Sequence, residues 1–134
     1  MSPESALQWS VFVLEGRTSP GSESDAQPPV LIVSRESANE ALPVVTVLPL
    51  VWLKKGRRIY PNEALLPTDS TELEYPAVLM AHQIRTIPKS WLSMRKGSVE
   101  DPGLRSAVRE AVRVQLDLDS GAHDRTETAT RLES

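Results

Sequence analysis

The sequence predicts a small α+β domain, and three observations carry that prediction. Apolar, β-branched runs recur at 30–34, 44–50 and 77–87, each with the composition of a strand. One convincing amphipathic helix, 102–118, follows them. The whole chain has 134 residues, enough for about one domain with one modest core. Four or five strands followed by one helix describe an antiparallel, strongly curled sheet with the helix closing one side.

Each element has its own signal. A first strand is expected within 7–14, where Trp9, Val11, Phe12 and Val13 cluster. Residues 16–29 hold two glycines and three prolines and read as a long loop. The run 30–34 reads as a buried strand, and 37–42 before Pro43 as a turn or single helical turn. The run 44–50 is the second strand, with Pro49 near its end, where a ladder donor is expendable. Residues 53–58 form a basic loop around Gly56, and 57–66 is expected to hold a short strand interrupted by Pro61. After a polar turn at 67–76, the run 77–87 reads as one continuous strand. A helical turn at 88–92 and a hairpin-like connection at 93–99 lead to the helix. There Asp101 suits the N-cap and Pro102 the first helical position. Leu104, Val108, Ala111, Val112 and Leu116 make its apolar stripe. The domain is expected to span 7–118, with 1–6 and the polar tail 119–134 disordered.

Composition narrows the chemistry. With no cysteine, disulfide scaffolds, thiol nucleophiles, thiolate zinc sites and iron–sulfur clusters are excluded. His82 and His123, the two histidines, leave little room for a histidine-rich metal site. No glycine-rich strand–turn–helix motif is present to cradle a nucleotide phosphate, so neither cofactor nor metal is expected. No secretory signal opens the chain and no run is long enough to cross a bilayer, so a cytoplasmic protein is expected. The net charge of −3 argues against a wholesale nucleic-acid binder. The charge is segregated, however: 50–100 carries eight bases against five acids. That locally basic middle allows a phosphate-contacting face. Lys54, Lys55, Arg57 and Arg58 lie beside Trp52 and Tyr60, a pattern that suits phosphate contacts with base stacking. Histidine as a residue type suits proton transfer near neutral pH, which makes His82 a candidate base.

Two segments, in order, carry a resemblance. Gly21-Ser22-Glu23 is followed after a short gap by Pro29-Val30-Leu31-Ile32-Val33-Ser34, and His82-Gln83-Ile84-Arg85-Thr86-Ile87 comes later. Together they resemble the MazF/PemK toxins of type II toxin–antitoxin systems, over roughly 7–118. The resemblance implies an SH3-like β-barrel with an added helix, usually homodimeric. It also implies metal-independent cleavage of single-stranded RNA at short sequences, and neutralisation by a cognate antitoxin. In that chemistry the 2′-hydroxyl attacks the adjacent phosphate, leaving a cyclic phosphate and a 5′-hydroxyl. Such a reaction needs a base, an acid and a cation on the developing phosphorane.

The chain departs from the family at telling positions. Pro28 stands where the family has its key arginine, and Val51 where it has a hydroxyl. His82 replaces the aspartate of PemK-like members, Met80 the basic residue two before it, and Ser22 a loop histidine. The candidate catalytic set is therefore His82, Arg85, Glu23 and Arg17. The candidate RNA contacts are Lys54, Lys55, Arg57, Arg58 and Trp52. Two functions remain in view: an RNA-cutting toxin, or a catalytically degenerate relative that binds antitoxin or RNA without cleavage.

Overall fold

The computed structural model describes residues 6–15 and 28–118. Expectations for Arg17, Glu23, the loop around them and the two chain ends lie outside these residues.

Seven strands and two α-helices follow in the order β1 (Ser10–Leu14), β2 (Val30–Ile32), α1 (Glu36–Ala41), β3 (Val44–Trp52), β4 (Glu63–Leu66), β5 (Ala77–Met80), β6 (Arg85–Pro88), β7 (Leu92–Ser98) and α2 (Pro102–Leu116). Every pairing is antiparallel, in the order β4-β5-β3-β2-β1-β7, with β6 also on β3. The α+β class expected from the sequence is therefore the one observed.

β3 is the spine. Along one edge it meets β2, with Val47 opposite Ile32. Along the other it meets β6 and then β5, with Val47 opposite Arg85 and Leu50 opposite Leu79. Moving from Val47 to Leu50 takes three residues of β3 but six of its partner. The surplus is extruded as the 3-10 turn Ala81–Gln83. The run 77–87 is thus two strands and a turn, not the single strand expected. The same junction explains Pro49, which lies inside β3 rather than near its end. Leu50 N–H points to β2, donating to the Pro29 carbonyl. Its neighbour's nitrogen faces the opposite edge, at the gap between β5 and β6, where no ladder donor is required.

The expected connection at 93–99 is instead β7, a seven-residue strand on β1. Its Ser, Arg, Lys and Gly residues hide the strand pattern, as edge strands often do. Gly97 has φ of 89°, and a Cβ there would sit 3.1 Å from Glu72 N. Only glycine lets the 71–72 segment close on this edge, where Glu72 N–H donates to the Lys96 carbonyl. The expected strand in 57–66 forms only after Pro61, as β4, and the helical turn expected at 37–42 becomes α1.

Alternation on β2 and β3 sends apolar side chains to both faces of the sheet. Leu31, Leu48 and Leu50 join Leu66, Leu79 and Val108 in the core beneath α2. Val30, Ile32, Val45, Val47 and Ile87 form a second cluster on the opposite face, against Phe12, Trp91 and Leu92. α2 buries Val108 and Ala111 and packs Leu104 and Val112 against the first core. Leu116, placed in the stripe by spacing, is exposed, one residue round the helix from Gln115, whose side chain takes the inward position beside Asn62. Asp101 caps the helix by accepting a hydrogen bond from Leu104 N–H at 2.9 Å.

Candidate functional site

The extruded turn puts His82 and Gln83 on the surface at the β5–β6 junction, with Ala81 buried beneath them. Next to it runs the first residue of β4, since Glu63 lies opposite Met80. Ala81 N–H donates to the Asn62 carbonyl at 3.1 Å, tying the turn to the start of β4.

Arg57 reaches Glu63 across the loop that precedes β4. Its two terminal nitrogens donate to the two carboxylate oxygens at 2.9 and 2.7 Å, a bidentate pair. Glu63 also accepts from Tyr60 N–H at 3.0 Å, and its side chain is only 5% exposed. Hydrogen bonding to Arg57 holds the Glu63 carboxyl below the usual carboxylate range against its burial. Tyr60 N–H and the charges of Arg57 and His82 act in the same direction, which places the imidazole within electrostatic reach of this pair. The partner Arg57 is raised correspondingly, chiefly by its hydrogen bonds to Glu63.

Among the candidate residues, His82 and Arg57 are brought together through Glu63. Arg85 opens β6 three residues after His82 and is exposed. Lys54, Lys55 and Arg58 are exposed in the loop between β3 and β4, and the Arg58 guanidinium lies 6.0 Å from the centre of the Tyr60 ring. Arg57 does not stand with these three as a solvent-facing cation, being held by Glu63. Trp52 is separate as well. It pairs with Ala77, the far end of β5 from Met80, about 10 Å away at roughly 3.3 Å per residue. There it meets Tyr75 edge to face, with centroids 6.0 Å apart, over a groove shared with Pro29, Leu73 and Lys96.

Pro28 and Val51, the two expected departures from the family pattern, fall opposite each other by register. Val30 lies opposite Pro49, so extending that register sets Pro28 opposite Val51. Neither side chain can donate, accept or carry a proton there. The titratable groups instead collect at the β5–β6 turn. Beside His82 a cleft of about 620 Å³ opens between that turn, the Tyr60–Glu63 segment and the last turn of α2, which supplies Val114 and Gln115. Glu63, Asn62 and Gln115 carried no sequence signal. Glu63 is a lone acid five residues after the basic cluster, and Gln115 is 53 residues from its partner Asn62.

Among the described residues no helix is long and apolar enough to cross a membrane. The chain is 32% identical over 103 residues to Endoribonuclease MazF9 of Mycobacterium tuberculosis, covering 73% of this chain and 85% of that protein. Among solved structures it is similar to the Mycobacterium tuberculosis toxin MazF-mt6, with TM-score 0.64 and 25% identity over 82% of this chain and 98% of the other. It is also similar to an endoribonuclease in complex with its cognate antitoxin from a mycobacterial species. That match has TM-score 0.65 and 25% identity, covering 86% and 98% of the two chains. The profile of one family spans the sheet and α2, matching residues 8–116, and the chain belongs to it: the PemK-like, MazF-like toxins of type II toxin–antitoxin systems.

Proposed function

We propose that this toxin is a sequence-selective endoribonuclease that cuts single-stranded RNA at the β5–β6 turn, without a metal. The observation that carries the reading is the exposed His82 imidazole, presented beside the Glu63–Arg57 pair and three residues before Arg85. In the reaction His82 takes the proton of a ribose 2′-hydroxyl, whose oxygen bonds to the adjacent phosphorus. The bond from phosphorus to the 5′ oxygen breaks, that oxygen takes a proton from solvent water, and His82 returns the 2′-hydroxyl proton to solvent, so the enzyme ends as it began. A 2′,3′-cyclic phosphate and a 5′-hydroxyl result. Arg85 is the exposed cation nearest in sequence to neutralise the pentacoordinate phosphorane. Lys54, Lys55 and Arg58 hold flanking phosphates. The protein acts in the cytoplasm as a homodimer, and its cognate antitoxin blocks the RNA-binding face.

Purified protein incubated with a long single-stranded RNA in EDTA tests this. Discrete cuts bearing 5′-hydroxyl ends are expected. Uncut RNA, with antitoxin binding intact, would overturn the reading in favour of a non-cutting relative. The juxtaposed Pro28 and Val51 are the observation on that side.

A further inference from the structure

Apart from His82, the residues lining this cleft take no part in the proton transfers above, yet their polar groups suit recognition. Asn62 Nδ2 donates to Gln115 Oε1 at 2.9 Å, which joins the start of β4 to the last turn of α2. Each amide carries both a donor and an acceptor. This bond therefore leaves Asn62 Oδ1 to accept and Gln115 Nε2 to donate at one edge. The same cleft is lined by two exposed rings, those of Tyr60 and His82. The acid of the cleft, Glu63, is saturated by Arg57 and Tyr60 N–H and does not offer a free negative charge to a polyanion. Arg58 lies against Tyr60, and Lys54 and Lys55 continue the positive charge along the same loop.

We infer that this cleft is a specificity subsite that takes one unpaired nucleobase of the RNA adjoining the cut. Resting on the ribonuclease reading, the inference names how that enzyme selects its sequence. Tyr60 supplies a stacking face, as aromatic side chains do for splayed single-stranded bases. The Asn62–Gln115 pair reads the base edge, because amides match the donor–acceptor pairs that base edges present. The volume of about 620 Å³ is within the usual range for small-molecule sites of roughly 300–1,000 Å³. The tie from Ala81 N–H to the Asn62 carbonyl fixes the reading edge relative to His82, so base selection and bond cleavage share one frame.

The experiment uses the full chain and a random pool of single-stranded oligonucleotides lacking the 2′-hydroxyl, which bind without being cut. Bound sequences are read for the wild type and for Asn62→Ala, Gln115→Ala, Gln115→Glu and Tyr60→Ala, and cut sites are mapped in parallel on unmodified RNA. Asn62→Ala and Gln115→Ala are expected to relax the preference at the same single position, by about 5- to 150-fold in discrimination. Gln115→Glu, which keeps the acceptor and removes the donor, is expected to change the preferred base there. Loss of folding cannot mimic that outcome. Tyr60→Ala is expected to weaken binding whatever base occupies the position. Unchanged preferences in all four variants overturn the subsite, and unchanged preferences with lost self-association assign the cleft to a subunit contact instead. A wild type that selects sequences but leaves unmodified RNA uncut supports the subsite and overturns the ribonuclease reading. A wild type that binds no oligonucleotide overturns both.

Discussion

Arg57 and Glu63 face each other across five intervening residues with both guanidinium ends on both carboxylate oxygens, at 2.9 and 2.7 Å. The pair closes the loop that carries Lys54, Lys55, Arg58 and Tyr60, and the Arg57 guanidinium also donates to the Arg58 carbonyl at 2.7 Å. Glu63 starts β4 opposite Met80, so the loop is moored to the strand that leads directly into the His82 turn.

A pH-dependent contribution to stability follows from that mooring. The Glu63 carboxyl is held below its ordinary value, first by its hydrogen bonds to Arg57. A carboxyl depressed in the folded state stabilises fully above its unfolded pKa of about 4.3, and that contribution is lost as pH falls through the folded value. Arg57→Ala is therefore expected to flatten the acid limb of a plot of urea midpoint against pH between 7 and 3. An acid limb identical to that of the wild type would show that the pair does not contribute.

A second carboxylate anchors the start of the chain fold. Glu36, at the first turn of α1, accepts from Leu7 N–H at 3.0 Å, Gln8 N–H at 2.9 Å and Asn39 Nδ2 at 3.1 Å. Burial alone pushes its carboxyl up, but the hydrogen bonds from Gln8, Asn39 and Leu7, with the charge of Lys89, outweigh it and hold it down. The sign is the same as for Glu63, with stability lost on acidification. Glu36→Gln is expected to remove this part of the acid limb even in an Arg57→Ala background, and additivity of the two checks that the sites are independent.

Asn39, buried beside this carboxylate, is the hub of the same network. Its side chain donates to the Ser34 carbonyl at 2.8 Å and accepts from Ser34 Oγ, while its own carbonyl accepts from Lys89 Nζ at 2.6 Å. Asn39→Ala removes the donor to the Ser34 carbonyl and the acceptor of the Ser34 hydroxyl proton, while Thr46 N–H still donates to that hydroxyl, a loss of about 1–3 kcal/mol. Urea denaturation at pH 7 measures it. A change within a few tenths of a kcal/mol of zero would show that water replaces the amide.

How far the sequence reveals these relationships depends on their range. α2 was legible because its signals are local: Asp101, Pro102 and a stripe of period 3.6. β2 and β3 were legible because strands buried on both faces read as unbroken apolar runs. The split of 77–87 was not, since it arises from the register of β5 and β6 on β3 rather than from any breaker between them. β7 was hidden by the charges and glycine that an edge strand tolerates. In the site, His82 stood out as a titratable residue with few rivals. The Asn62–Gln115 edge is made by residues far apart in sequence and unremarkable singly.

Trp9 has the most unusual backbone of the core residues. It is 6% exposed with φ of 73°, and its ring lies 5.2 Å from the Arg105 guanidinium and 5.1 Å from that of Arg109. Its N–H donates to the Ile32 carbonyl and its carbonyl accepts from Val99 N–H, both at 2.7 Å. Trp9→Ala removes a large core side chain together with two cation–π contacts, an expected loss of about 3–5 kcal/mol. Trp9→Phe, which keeps a ring for the arginines, is expected to lose clearly less. Equal losses in the two variants would assign the effect to shape alone.

His82→Ala separates chemistry from fold. The imidazole is exposed and approaches the neighbouring Gln83 amide at 3.4 Å, so its removal leaves no buried group unpaired. The thermal midpoint is expected to stay within a degree or two of the wild type, as for surface substitutions within about ±0.5 kcal/mol. RNA cleavage is expected to fall by about 10²- to 10⁴-fold, the usual contribution of a positioned acid–base group. Arg85→Ala is expected to lower cleavage without changing the shape of the pH profile, whereas His82→Ala, which removes the proposed base, is expected to change it. Growth arrest on induction should be lost in step with cleavage. Full toxicity in both variants would place the chemistry away from this turn.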